Sequence, residues 1–156
     1  MRTVDERGIA APPARVFQAA SEVEHWPAIL GHYRWVRMLE HRADGGVVEM
    51  SANRPFGPFK WPTWWVSEMW VDPDRMEVRY HHIRGVTRGM DVVWKIRPDG
   101  EGTHASIVHE WSGPDWPLIR RPAAEWVIGP VFVHGIASRT LAGIAATCER
   151  GMNHEL

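Results

Sequence analysis

The 156-residue chain has one cysteine, two tyrosines and four phenylalanines. Cys148 alone makes no internal disulfide, and thiolate metal cages need several cysteines. A charge of one sign is also missing: 18 Lys and Arg stand against 19 Asp and Glu, a formal net charge of −1. That leaves no basic excess to neutralise phosphates, so no nucleic-acid partner is expected. Long apolar runs are absent as well. The most apolar late stretch, 126–137, is interrupted by Gly129, Pro130, His134 and Gly135, so no membrane insertion is expected. The first residues, MRTVDERG, lack the apolar segment of a secretion signal, and a cytoplasmic location is the expectation. There is no phosphate-binding loop, no G-x-G-x-x-G, no H-E-x-x-H and no G-x-S-x-G. The nine histidines are poorly spaced for a metal. His81 and His82 are adjacent in a strand and point to opposite faces, and His104 and His109 differ in parity. No metal and no cofactor are expected.

What the chain has in excess is tryptophan, ten residues of it. Trp offers a large flat apolar face and one N–H donor. It fills a core, or it walls a cavity that takes something flat. For any one Trp, core packing is the commoner use.

Length and patterning indicate a single domain, 1–156. Residues 2–9 alternate as a first strand. Pro12 and Pro13 suit a helix start, with Val16, Phe17 and Ala20 at helical spacing. Ser21 with Glu24 fits a capping box for a second short helix, and Pro27 falls in its first turns. Alternation then predicts strands at 33–41, 47–54, 63–71, 75–84, 90–97 and 103–111. Asp44-Gly45-Gly46, Asp72-Pro73-Asp74, 85–89 and 98–102 turn the chain between them. Three prolines and a glycine make 55–62 read as a loop, as does 112–117. A helical pattern runs from about Ala123 to Arg150, kinked at Gly129-Pro130. Its stripe is Val133, Ala137, Leu141, Ile144 and Cys148, flanked by Phe132, Ile136 and Thr140. Two short helices after strand 1, a curved antiparallel sheet of about seven strands and one long C-terminal helix give an α+β fold. A sheet curved around one helix leaves a gap between them, a natural ligand cavity.

Parity places Tyr33, Trp35, Arg37, Arg54, Trp65, Ser67, Met69, His82, Met90, Trp94, His109 and Trp111 on the helix-facing side. Flat apolar faces mixed with a few polar groups are the usual lining of a small-molecule pocket. For Arg37 and Arg54, parity alone favours charges in water at a strand edge. Trp65 and Trp94 would stack a ligand's rings, with Tyr33 hydrogen-bonding a carbonyl or enolate and Ser67 and His109 positioning water or moving protons. Tyr33, Ser67 and His109 are thus the catalytic candidates. The ligand-binding candidates are Trp26, Trp35, Arg54, Trp65, Met69, His82, Met90, Trp94, Trp111, Phe132 and Ile136. Trp64 and Trp70 fall on the outer face and mark a candidate homodimer surface.

The segment A-P-P-A-R-V-F-x-A-A-S-E-V-E-H-W-P followed by Tyr33 resembles the opening of the START/Bet v 1-like polyketide cyclase/dehydrase superfamily. The later pieces G-V-T-R-G-M-D-V-V-W and F-V-x-G-I-A-x-R-T-L agree with it. The resemblance covers essentially the whole domain and implies the helix-grip fold. That superfamily includes aromatase/cyclases, lipid and sterol carriers and hormone receptors, so the fold hosts both enzymes and carriers. By this resemblance Trp26 and Tyr33 match the W-P…Y of the aromatase/cyclases. Trp65 and Ser67 match their W-V-S pocket strand, and Met90 and Trp94 match a later strand. An arginine that anchors polyketide oxygens in those cyclases is replaced by Met69, a departure that counts against cyclase chemistry unless Arg37, Arg54 or Arg88 substitutes for it. The implied ligand is small, hydrophobic and aromatic or polyketide-like. Cyclisation and dehydration is one expected activity, and non-catalytic carriage of a lipid or quinone is the other.

Overall fold

The computed structural model describes residues 1–56, 59–113 and 133–153, with only the backbone at 54–56 and 59–61. Strand β1 (Arg2–Ile9) leads into α1 (Pro13–Ser21), a 3-10 turn (Val23–His25) and α2 (Trp26–Ile29). Six strands follow: β2 (Tyr33–Arg42), β3 (Gly45–Phe56), β4 (Phe59–Asp72), β5 (Glu77–Gly85), β6 (Asp91–Asp99) and β7 (Gly102–Glu110). The last element described is α3 (His134–Asn153). The strands form one antiparallel sheet in the order β1-β7-β6-β5-β4-β3-β2. β1 and β2 are therefore opposite edges, and the two short helices carry the chain from one to the other. This is the α+β helix-grip arrangement.

Helix α1 starts at Pro13 behind an extended Pro12, where the missing N–H has no intrahelical partner to lose. Val16 and Ala20, one turn apart, are its buried contacts. Along α3, Val133, Ala137, Leu141, Ile144 and Cys148 are buried as the 3.6-residue period requires, together with Thr140 and Ala145. Gly143 lets α3 close on the end of α2: a Cβ there would sit 2.2 Å from Leu30 Cδ2.

Four local expectations fail. The Ser21–Glu24 capping box does not form. Ser21 is still helical, and its hydroxyl donates back to the Gln18 carbonyl at 3.1 Å, while the following turn has no side-chain cap. The second expectation was a loop over 55–62. Instead β3 and β4 continue as a hairpin, with Pro55 opposite Lys60 and Phe56 opposite Phe59. Prolines are tolerated here because β2 pairs only as far as Ala52 and β5 only as far as Trp65, so among the described residues no strand pairs with the outer edges of the hairpin tip. Third, β5 begins at Glu77 rather than 75, because Met76 adopts φ 51° in the preceding turn.

The fourth failure concerns Trp35. A bulge between Tyr33 and Trp35 sets Tyr33 opposite Ala52 and Trp35 opposite Ser51. One extra residue reverses the parity that follows. Trp35 therefore lies on the outer face, where its Nε1 donates to Glu49 at 3.2 Å and Arg34 and Arg37 cover its ring. Arg37, carried outward by the same bulge, pairs with Glu49 at 3.7 Å and is an exposed charge in water, as expected for it. Trp64 and Trp70 also face outward; Arg84 covers the first and the second is 36% exposed. The expected kink at Gly129-Pro130 lies outside the described residues. No helix among the described residues is long and apolar enough to cross a membrane.

Candidate functional site

A cavity of about 70 Å3 lies between the inner face of the sheet and α3. Each strand from β2 to β7 contributes to it. Tyr33, Met50 and Trp65 come from β2, β3 and β4; Tyr80 and His82 from β5; Val92 and Trp94 from β6; Ile107 and His109 from β7. Trp26 closes it from α2, Thr87 and Met90 from the β5–β6 connection, and Val133, Ile136, Ala137 and Thr140 from the helix side.

The aromatic walls touch one another. Trp26 meets Tyr33 edge-on at 5.2 Å between centroids and lies 5.6 Å from Trp94. Tyr33 meets Trp65 edge-on at 6.3 Å. Trp65 stacks on His82 at 5.9 Å with the planes 12° apart. Such tilted and edge-to-face pairs hold ring positions beyond what area burial alone supplies.

The polar groups divide into satisfied and unsatisfied. Thr140 donates to the Ile136 carbonyl at 2.8 Å, and its side chain is also the hydrogen-bonding neighbour of the Tyr33 hydroxyl. His32, half-buried behind it, reaches the Thr140 hydroxyl oxygen at 3.0 Å. Burial raises the Tyr33 phenol, so it stays protonated at neutral pH. His82 Nδ1 is held by the Thr87 hydroxyl at 2.7 Å. Burial pushes His82 down to about 3, helped by the nearby His109 and His81, and burial pushes His109 down to about 4. Both imidazoles are neutral at neutral pH. The Tyr80 hydroxyl, His109 Nδ1 and Ser67 Oγ are buried without a hydrogen-bond partner among the described residues. No Lys or Arg is among the described lining residues.

Of the sequence candidates, Trp26, Tyr33, Trp65, His82, Met90, Trp94, His109 and Ile136 converge on this cavity. Ser67 is inward and fully buried but outside the lining. Trp111 is buried elsewhere in the core, because its Nε1 is spent on the Arg88 carbonyl at 2.9 Å. Met69 is buried on the correct face but too far along β4. It lines a separate, more open space of about 290 Å3 with Met38, Val71 and the Ser21–His25 turn. The glutamates on that rim, Glu22 and Glu24, pair with His25 and His41. Among the described residues, no buried unpartnered group borders it. Trp35 faces outward, as above. The Arg54 side chain and Phe132 lie outside the described residues, and Arg88 is exposed.

Sequence reasoning missed Tyr80, Thr87 and Thr140 as lining residues. The signal for Tyr80 was present, since it shares the parity of His82 in β5. Thr87 was hidden in a turn and Thr140 in the shoulder of a helical stripe. Among the described residues no cluster of three or more His, Cys, Asp or Glu side chains stands close enough to hold a metal.

The family model described as polyketide cyclase/dehydrase and lipid transport matches residues 1–149. A curated relative is the actinorhodin polyketide synthase bifunctional cyclase/dehydratase of Streptomyces coelicolor. It is 28% identical over 116 residues, which are 73% of this chain and 35% of that protein. Among solved structures, a Thermus thermophilus protein superposes with a TM-score of 0.80 at 18% identity, covering 97% of this chain and 99% of that one. The Zhui aromatase/cyclase from a Streptomyces species gives 0.79 at 18% identity, covering 97% and 95%.

Proposed function

This chain belongs to the polyketide cyclase/dehydrase and lipid transport family, and we propose that it binds a flat, hydrophobic, aromatic or polyketide-like ligand between its sheet and α3. The observation that carries this reading is the wall of mutually packed rings, Trp26, Tyr33, Trp65 and Trp94, interrupted by only a few polar groups. A lipid carrier would need a mainly aliphatic lining. The cavity is well below the several hundred Å3 of a drug-sized pocket. The flexible side chains of Met50 and Met90, together with Ile136, must therefore rotate to admit a ring system.

The working chemistry is aldol cyclisation with dehydration, a reaction in which a carbon between two carbonyls loses a proton and attacks a third carbonyl carbon. The alkoxide takes up the proton, and water then leaves to form a double bond. His109, whose Nδ1 has no partner among the described residues, is the group on this wall that would accept the carbon's proton and return it to oxygen, although burial makes it a weak base. Tyr33 stays protonated and lies against the rings, placed to hydrogen-bond an oxygen once it turns from Thr140. Ser67, outside the lining, supports the wall that Trp65 and His82 make. The absence of Lys or Arg among the described lining residues favours a second reading, binding without turnover. Relatives described as cyclases support the first reading.

Intrinsic fluorescence separates these ideas from lipid carriage. A polycyclic phenol should quench Trp emission strongly and saturably, and a fatty acid should not. The opposite ranking would remove the aromatic-ligand reading. Native mass spectrometry of the purified protein then identifies any ligand retained from the host.

A further inference from the structure

Two polar groups on the cavity wall have no partner among the described residues: the Tyr80 hydroxyl and His109 Nδ1. Both residues are more than nine-tenths buried, at 5% and 9% exposure. The sheet register places them in one row. Val92 of β6 pairs with Tyr80 on one side and with His109 on the other. All three side chains therefore rise from the same face, and the two polar residues stand about 10 Å apart at the backbone, two strand spacings. A buried polar group left unpartnered is costly and rare in native proteins. The neighbouring polar groups are satisfied internally, Tyr33 by Thr140 and His82 by Thr87. Among the described lining residues the omission is confined to the pair that flanks Val92.

Among the described residues, nothing in this wall compensates a negative charge. The described lining lacks Lys and Arg, and the two histidines are uncharged at neutral pH because burial opposes their protonation. A carboxylate entering here would lose its hydration and gain no cation from the described residues. A phenol or ketone oxygen loses far less and can satisfy Tyr80 and His109.

We propose that Tyr80 and His109 form a two-point clamp on the oxygens of an uncharged ligand, so that the cavity selects neutral phenols and ketones against the matching carboxylic acids. The clamp rests on the cavity reading above and adds to it a rule of charge.

The test uses three probes of one ring system: a naphthalenediol, a hydroxynaphthoic acid and the methyl ester of that acid. The ester is larger than the acid but uncharged, so it separates charge from size. At pH 7 the diol and the ester should quench Trp fluorescence saturably, and the acid should bind at least roughly tenfold more weakly. Tyr80→Phe and His109→Phe should each weaken the diol about tenfold, the worth of one good hydrogen bond. Both variants should keep or raise the Tm of the ligand-free protein, because each removes a buried polar atom that the fold leaves unpaired. Acid binding within about threefold of the ester would overturn the charge rule and leave the cavity reading standing. Unchanged diol affinity in both variants would overturn the clamp. So would a Tm several degrees lower in Tyr80→Phe, since the hydroxyl would then already serve the fold. No saturable quenching by any of the three would remove the cavity reading and the clamp together.

Discussion

Trp65 of β4 and His82 of β5 lie face to face, 5.9 Å between centroids, with Thr87 fixing the imidazole from its edge. The stack places an ionisable ring where its charged form is strongly disfavoured. Burial comes first in holding His82 at about 3, and burial holds His109 at about 4, against an ordinary 6.5. In the unfolded chain both return to the ordinary value. Below pH 6.5 the unfolded state therefore binds protons that the folded state refuses. Folding stability should be full above about pH 6.5 and should fall as the pH drops towards 4, by up to about 1.4 kcal/mol per pH unit for each histidine. It levels off below the folded values. Urea unfolding from pH 7.5 to 4.5 measures the slope, and His109→Phe should remove about one proton's share. An unchanged slope would mean that His109 is charged in the folded protein.

The outer and inner tryptophans should differ sharply when truncated. Trp94 is buried within the ring cluster and Trp35 lies outside under two arginines. Trp94→Ala should cost about 3–5 kcal/mol, the usual range for emptying a large core site. Trp35→Ala should cost about 1 kcal/mol, the worth of exposed cation–π contacts. Comparable losses in denaturant melts would contradict the bulge that turns Trp35 outward.

That bulge also marks the limit of reading this fold from sequence. Strict alternation identified the inner face of β6 and β7, where Trp94, Ile107 and His109 are buried as expected. It failed in β2, because one inserted residue has no signature in the alternation and inverts the parity as far as a second irregularity between Met38 and Glu40. Pro55 and Pro62 misled for another reason. Proline excludes a strand only where its N–H is needed, and which strand edges are free is a property of the assembled sheet. The candidate site follows the same division. Residues on regular strands were placed correctly, whereas Met69 was lost because parity gives the face of a residue and not its distance along the cavity. Tyr80 was legible by its parity with His82. That its hydroxyl lacks a partner was not, because that depends on every side chain around it.

The turn into β3 supplies a backbone prediction. Gly45 has φ 146°, a conformation that L side chains rarely adopt, and a Cβ there would lie 2.0 Å from the Met69 carbonyl oxygen. Gly45→Ala should destabilise by about 2 kcal/mol or more. Gly31 has nothing within 4 Å of an added Cβ. Gly31→Ala should be neutral or slightly stabilising, by up to about 1 kcal/mol, through its effect on the unfolded chain. Thermal melts of the two variants side by side check the contrast, and equal effects would show that the close approach to Met69 carries no cost.

The last contrast separates two tyrosines in one cavity. The Tyr33 hydroxyl has Thr140 as its partner, whereas the Tyr80 hydroxyl has none among the described residues. Tyr33→Phe should lose a made hydrogen bond, destabilising the ligand-free protein by about 1 kcal/mol, and should leave naphthalenediol affinity within about twofold. Tyr80→Phe should show the reverse pattern. If the protein turns over a substrate, Tyr33→Phe should lower kcat more than it raises KM, because the hydroxyl must leave Thr140 to meet an oxygen that gains charge only during reaction. Thr140→Val distinguishes this from a packing effect. It frees the Tyr33 hydroxyl without moving the ring, so diol affinity should rise where Tyr33→Phe leaves it unchanged. A fall in affinity in Thr140→Val would place the threonine, rather than the tyrosine, in contact with the ligand.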